Sequence, residues 1–161
     1  MLSKAKRACL SARQGFTLIE LLVVIAILSV LLVIVLVAIN PARQTREARN
    51  TQRRADVLTI LNAVNQFFVA NGAFPGLLDN IATGSVQSID SANATLDGSD
   101  FCSDLVPTYV AALPFDPSAS GASFSSCSSY DSGYEITKNA GDRITISAPS
   151  AEGGVTIQAT R

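Results

Sequence analysis

From Phe16 to Ile39 the chain runs for 24 residues with a single charge, Glu20. A helix of that length reaches about 36 Å at ~1.5 Å per residue, against a bilayer hydrocarbon core of about 30 Å, so the segment can span. A secretory signal has about 7–15 apolar residues followed by a small-x-small cleavage site. Here the run is longer and ends in Ala38-Ile39-Asn40-Pro41 with no Ala-x-Ala, so cleavage behind it is not expected. Glu20 is then the residue to explain. A charge in the bilayer core costs about 2.5–3.5 kcal/mol on insertion scales, which makes an intramembrane carboxylate a functional hypothesis whose partner must be named.

The flanks of the run are both cationic. Met1 to Gly15 carries Lys4, Lys6, Arg7 and Arg13 with no acid, and Arg43 to Arg54 carries five arginines against Glu47. A count of basic residues therefore does not fix the orientation by itself. Residues 55–161 hold three bases and eleven acids, so the formal charge of −1 conceals a basic collar and an acidic head.

At the junction, Arg13-Gln14-Gly15-Phe16-Thr17-Leu18-Ile19-Glu20-Leu21-Leu22-Val23-Val24 resembles the leader and N-terminus of a type IV prepilin. In that family a membrane peptidase cuts on the cytoplasmic side after the glycine, N-methylates the new first residue and leaves the apolar helix attached. The resemblance implies cleavage after Gly15, methylation of Phe16, and Glu20 as fifth residue of the mature chain. It also implies a cytoplasmic N-terminus and an exported head. The motif is shared by pilins, secretion pseudopilins and DNA-uptake pilins. In a bundle of such helices Glu20 can meet the Phe16 amine that cleavage creates on a neighbour, an attraction strengthened by low dielectric and offset by desolvation, so that the pair sets register more than stability. The competing reading is a carboxylate that only snorkels to the cytoplasmic interface.

Removing 15 of 161 residues leaves 146, enough for a stalk and one small domain. Cys9 leaves with the leader, so the mature chain keeps Cys102 and Cys127. In an oxidising space two cysteines point to a bridge, which would close a loop of roughly 25 residues worth on the order of 3 kcal/mol. Two separately buried thiols are the alternative.

Asn40-Pro41 should bend the helix, because proline lacks an amide donor and clashes with the preceding turn. Residues 42–70 then resume with good helix formers. Val57, Ile60/Leu61, Val64 and Phe67/Phe68 recur at three-to-four spacing, an apolar stripe that needs a cover. Asn71-Gly72 and Pro75 end the helix. Residues 76–98 read as a structured surface loop, 100–105 as a short helix, and 118–132 as a serine-rich loop. Strands are expected at 133–138, 143–148 and 155–160, forming a three- or four-stranded antiparallel meander under the stripe.

This order is similar to the pilin fold. The expected class is α+β and pilin-like, with a long N-terminal transmembrane and spine helix packed on a small antiparallel β-sheet. Its segments are a leader at 1–15, a transmembrane and filament-core helix at 16–39, the rest of the spine at 40–71 and a head at 72–161. Asp104-Leu105-Val106-Pro107-Thr108-Tyr109 and Leu113-Pro114-Phe115-Asp116-Pro117 resemble a segment of several pilin-like proteins and of the major pseudopilin of type II secretion, where a loop near the sheet binds calcium. Asp104, Asp116 and Asp131 are possible oxygen donors, but calcium needs six to eight oxygens in one place and nothing in the spacing forces convergence. Turn initiation is the favoured role of Asp116-Pro117, and no metal or other cofactor is expected.

No histidine occurs, which removes the usual Ser-His and Cys-His pairs and histidine metal clusters. No Gly-x-Ser-x-Gly or phosphate-cradling loop is present, so an enzyme is not expected. The arginines at 43–54 are too few, and lack interleaved aromatics, for a nucleic-acid signal. A solvated or subunit-facing helix is favoured over contact with anionic lipid. The leading reading is a type IV pilus-like subunit, a single-pass membrane protein whose partners are lipid before assembly, prepilin peptidase, an assembly platform and further copies in a helical homopolymer. A type II secretion pseudopilin is the alternative, and a non-polymerising anchored binding protein the third.

Overall fold

The computed structural model describes residues 15–161; the leader up to Gln14, with its basic residues and Cys9, lies outside the described residues. The chain divides into an N-terminal helical unit and a folded unit from Ala42 to Arg161.

In the N-terminal unit, helix α1 spans Leu18–Ile39, 22 residues with a mean hydropathy of 3.6 over its spanning window. Thr17, in extended backbone, caps it, its Oγ1 accepting from the Glu20 amide at 3.2 Å. None of the side chains of α1 is buried. The helix ends at Asn40 in the left-handed region (φ 46°), and Pro41 opens helix α2 (Pro41–Asn71), where the first turn needs no amide donor. The expected discontinuity is thus a change of helix made by one left-handed asparagine.

In the folded unit α2 buries Val57, Ile60, Leu61 and Val64 of the stripe that the spacing predicts, together with Ala63, while Phe67 is half-buried and Phe68 exposed; it also buries Arg53 and Asn50, one and two turns earlier. Gly72 (φ 74°) terminates it, donating to Phe68 O at 2.8 Å as a left-handed cap does. A 3-10 turn follows at Leu78–Asn80, then β1 (Val86–Asp90), α3 (Gly98–Leu105), β2 (Ser123–Ser126), β3 (Ser129–Lys138), β4 (Ile144–Ser147) and β5 (Gln158–Thr160).

Among the described residues these five strands make one antiparallel sheet in the order β1-β3-β4-β5, with β2 also on β3. Asp131 faces Asp90 of β1 and Ser123 of β2, so β1 takes one edge of β3 while β2 and β4 share the other. In the gap between β2 and β4 the Asp116 amide donates to Ser132 O at 2.8 Å. Gly133 makes this approach possible: it sits at φ 68°, and a Cβ there would lie 3.0 Å from Ala119 Cβ and 3.1 Å from Asp116 Cβ. Along β3, Tyr130, Ser132, Tyr134 and Ile136 alternate inward and meet Ile144 and Ile146 of β4 and the α2 stripe in one core.

The sheet is larger than the meander the sequence predicts. β3 begins four residues before the expected 133, and β2 lies inside the serine-rich segment. β5 is shorter than expected: Glu152 is tied to Asn50 of α2, and before Gln158 the ladder continues through the Ala148–Ile157 backbone bond alone. The 76–98 segment is not a plain surface loop, since β1 pairs with β3 and Ile89 and Leu96 are fully buried.

Candidate functional site

Gly15, Phe16, Thr17 and Glu20 line one shallow recess at the start of α1, so the expected cleavage, methylation and assembly residues fall together. Phe16 is 86% exposed. A Cβ built on Gly15 meets nothing within 4 Å, so neither crowding nor backbone conformation in this chain demands glycine there. Glu20 is the third residue of α1, and Thr17-x-x-Glu20 has the spacing of a capping box, a start signal the sequence already held. Thr17 is therefore a positioning residue: it fixes where the helix begins and so where Glu20 leaves it.

A second constellation lies where α2 meets the head. Arg53, with no exposed side-chain surface, donates Nε to Asp116 Oδ2 at 2.6 Å and Nη2 to Asp116 Oδ1 at 3.0 Å, and its other donors reach Asn50 Oδ1 and Ser118 Oγ. Asp116 Oδ1 also accepts from the amides of Ser118 and Ala119. The turn-initiating role expected for Asp116 is present, joined to a buried ion pair. One turn earlier, Arg49 grips Glu152 with two 2.7 Å bonds, and Asn50 exchanges bonds with the Glu152 backbone at 2.8 and 3.0 Å. Three of the five collar arginines thus meet acids of their own chain, Arg49 and Arg53 in the head and Arg43 at Glu47 in the exposed first turns.

The titrations follow from this geometry. Burial pushes the Asp116 carboxyl up, but the Arg53 guanidinium and two amides outweigh it and hold it below the usual range. Hydrogen bonds from Arg49 lower Glu152 to about 2. Asp56 goes the other way: burial raises it, the Tyr134 hydroxyl donating at 2.8 Å opposes this, and nearby Asp116 adds to the rise.

Asp104, Asp116 and Asp131 do not converge. Asp104 accepts from Gly76 N, Asp131 from Gly133 N, and both oxygens of Asp116 are on Arg53. Among the described residues no group of three or more acids, cysteines or histidines is placed to hold a metal ion. Cys102 of α3 and Cys127 in the β2–β3 turn are bridged, with Cα atoms 5.3 Å apart.

Comparison with protein families gives a match to the prokaryotic N-terminal methylation motif over residues 10–36. Neither a curated protein nor a solved structure matches the chain. The matched motif covers the leader junction and α1 as far as Leu36, and the folded unit is a helix on a small antiparallel sheet. Motif and fold are those of a prepilin-like chain, similar to type IV pilins and pseudopilins: the methylation motif implies processing by prepilin peptidase, and the apolar helix that follows is long enough to anchor the chain in a membrane.

Proposed function

We propose that the chain is a structural, non-catalytic subunit of a type IV pilus-like filament. Cleavage after Gly15 frees the Phe16 amine, which is methylated; α1 holds the subunit in the membrane with the head exported, and assembly transfers α1 from lipid to a bundle of identical helices. One observation supports this above the others: all 22 residues of α1 are unburied within the chain, and their surface is apolar except for Glu20 and Ser29. Such a surface is stable against lipid or against other apolar helices. Glu20, one turn from the new amine, is the group that can meet a neighbour's Phe16 and set the axial register.

Glu20→Ala tests it. The apolar helix inserts as well or better without its charge, cleavage lies five residues upstream and the head folds independently of the contact, so only assembly should suffer. Sheared surface fractions measured against total processed subunit should fall at least tenfold; filaments at wild-type yield would leave Glu20 a snorkelling residue. The secretion pseudopilus rests on the same motif and makes a separate prediction, that deletion abolishes protein secretion and leaves surface filaments intact.

A further inference from the structure

Beside the first turns of α2 lies a groove of about 400 Å³, lined by Arg43, Arg46 and Glu47 on the helix and by Glu152, Gly153 and Val155 on the loop after β4. We propose that this groove takes phosphate-bearing lipid headgroups, so that the folded unit is held against the bilayer surface while the subunit is still anchored. The inference rests on the membrane-anchored reading but not on polymerisation.

Three observations carry it. Arg43 is four residues beyond Ile39, the last residue of the membrane-length helix. Four links of ~3.8 Å keep it within about 15 Å of the point where the chain leaves the hydrocarbon, a depth that includes the polar headgroup layer of roughly 5–8 Å. Arg46 follows three residues later on a helix rising ~1.5 Å per residue. Second, the charge fits an anion. Glu152 faces Arg49 and Glu47 faces Arg43, while Arg46 has its Nε 3.3 Å from the Ala42 carbonyl, so three arginines stand against two carboxylates. Guanidinium donors match phosphate oxygens in paired geometry. Third, the opposite wall is fixed. Asn50 and Arg49 bind Glu152 by backbone and side chain, and this holds the uncharged tip Gly153–Val155 next to the arginines with Val155 41% exposed. Basic side chains beside an apolar one suit the boundary between headgroups and acyl chains.

The chain contains no tryptophan, so Val155→Trp gives a single reporter at an exposed site. The processed full chain would be placed in nanodiscs of phosphatidylcholine, with or without phosphatidylglycerol, each doped with lipid carrying a quencher at the headgroup. Quenching should be stronger with phosphatidylglycerol, and Arg43→Gln with Arg46→Gln should remove the difference, each arginine contributing roughly fivefold in occupancy. Hydrogen exchange of amides 151–156 in the chain with native Val155 reads the same contact, as slower exchange with phosphatidylglycerol. Equal quenching and exchange in both lipids, or a lipid difference that survives the double substitution, would overturn the proposal. So would a shift in the tryptophan emission of the Val155→Trp chain that inorganic phosphate produces in detergent with no lipid dependence, which would mark a site for small anions. Filament yield is not an arm of this test, so its outcome and that of Glu20→Ala remain separable.

Discussion

Arg53 is the residue whose environment most constrains the head. A fully buried guanidinium must have its charge and donors met, and here Asp116, Asn50 and Ser118 meet them, with Glu152 3.5 Å away. Asp116→Asn keeps an oxygen for the Ser118 and Ala119 amides but removes the charge opposite Arg53. It should cost about 3–5 kcal/mol, a large part of the roughly 5–15 kcal/mol available to a small domain. Urea unfolding of the processed chain, followed by tyrosine near-ultraviolet dichroism, should show a lowered midpoint with an unchanged slope. The pH dependence has a definite sign. Glu152, lowered from 4.5 to about 2, contributes stability that is complete above about pH 4.5 and is lost as pH falls toward 2. Glu152→Gln should flatten the acid limb. Asp56, whose pKa is raised, acts oppositely and favours the folded state more when protonated. An acid limb that stays equally steep in Glu152→Gln would assign acid unfolding to Asp116 instead.

At the scale of elements, what the sequence disclosed depended on periodicity. The Val57–Val64 stripe and the Ile144/Ile146 face are legible because apolar residues recur at the helix and strand periods. Asn50 and Arg53 continue the same stripe at i−7 and i−4 from Val57, yet they are polar, and a hydrophobic pattern does not register them; the unbroken spacing 50, 53, 57, 60, 64 was the available signal. β1 was hidden for a different reason. Its only two apolar residues, Val86 and Ile89, are three apart and so fall on opposite faces, Val86 exposed and Ile89 buried beside the polar Gln87, and no apolar alternation shows. β2 reads as loop because Ser-Phe-Ser-Ser has one apolar side chain, and it persists as a strand beside the Cys102–Cys127 bridge that ties its turn to α3. Closing a loop of about 25 residues is worth on the order of 3 kcal/mol in the chain-entropy model. Replacing both cysteines by alanine should lower the melting temperature and accelerate amide exchange first in 123–131, while β4 and the α2 stripe keep their protection. Uniform loss of protection across the sheet would show that the bridge supports the core and not only its serine-rich edge.

The whole molecule joins two surfaces with different requirements: an apolar helix with no cover of its own, and a folded unit whose buried polar side chains all find partners. In the proposed function, processing is the step that commits the first surface, since only after the leader is cut would an amine exist at Phe16 for a neighbouring Glu20. Gly15 is where this can be interrupted without disturbing anything else. Its ordinary backbone conformation and the empty space around a built Cβ mean that the chain itself accepts a larger residue. A peptidase that must grip extended backbone at this bond does not, because a branched side chain would stand against the enzyme. Gly15→Val should therefore give a membrane-inserted precursor with a normally folded, disulfide-bonded head and no filaments. Intact mass separates this from Glu20→Ala, which also loses filaments: the Gly15→Val chain keeps the leader and lacks the methyl group, while the Glu20→Ala chain starts at methylated Phe16. A Gly15→Val chain that nevertheless starts at methylated Phe16 would remove the assignment of Gly15 as the recognised residue, and with it the proposed order of cleavage before assembly.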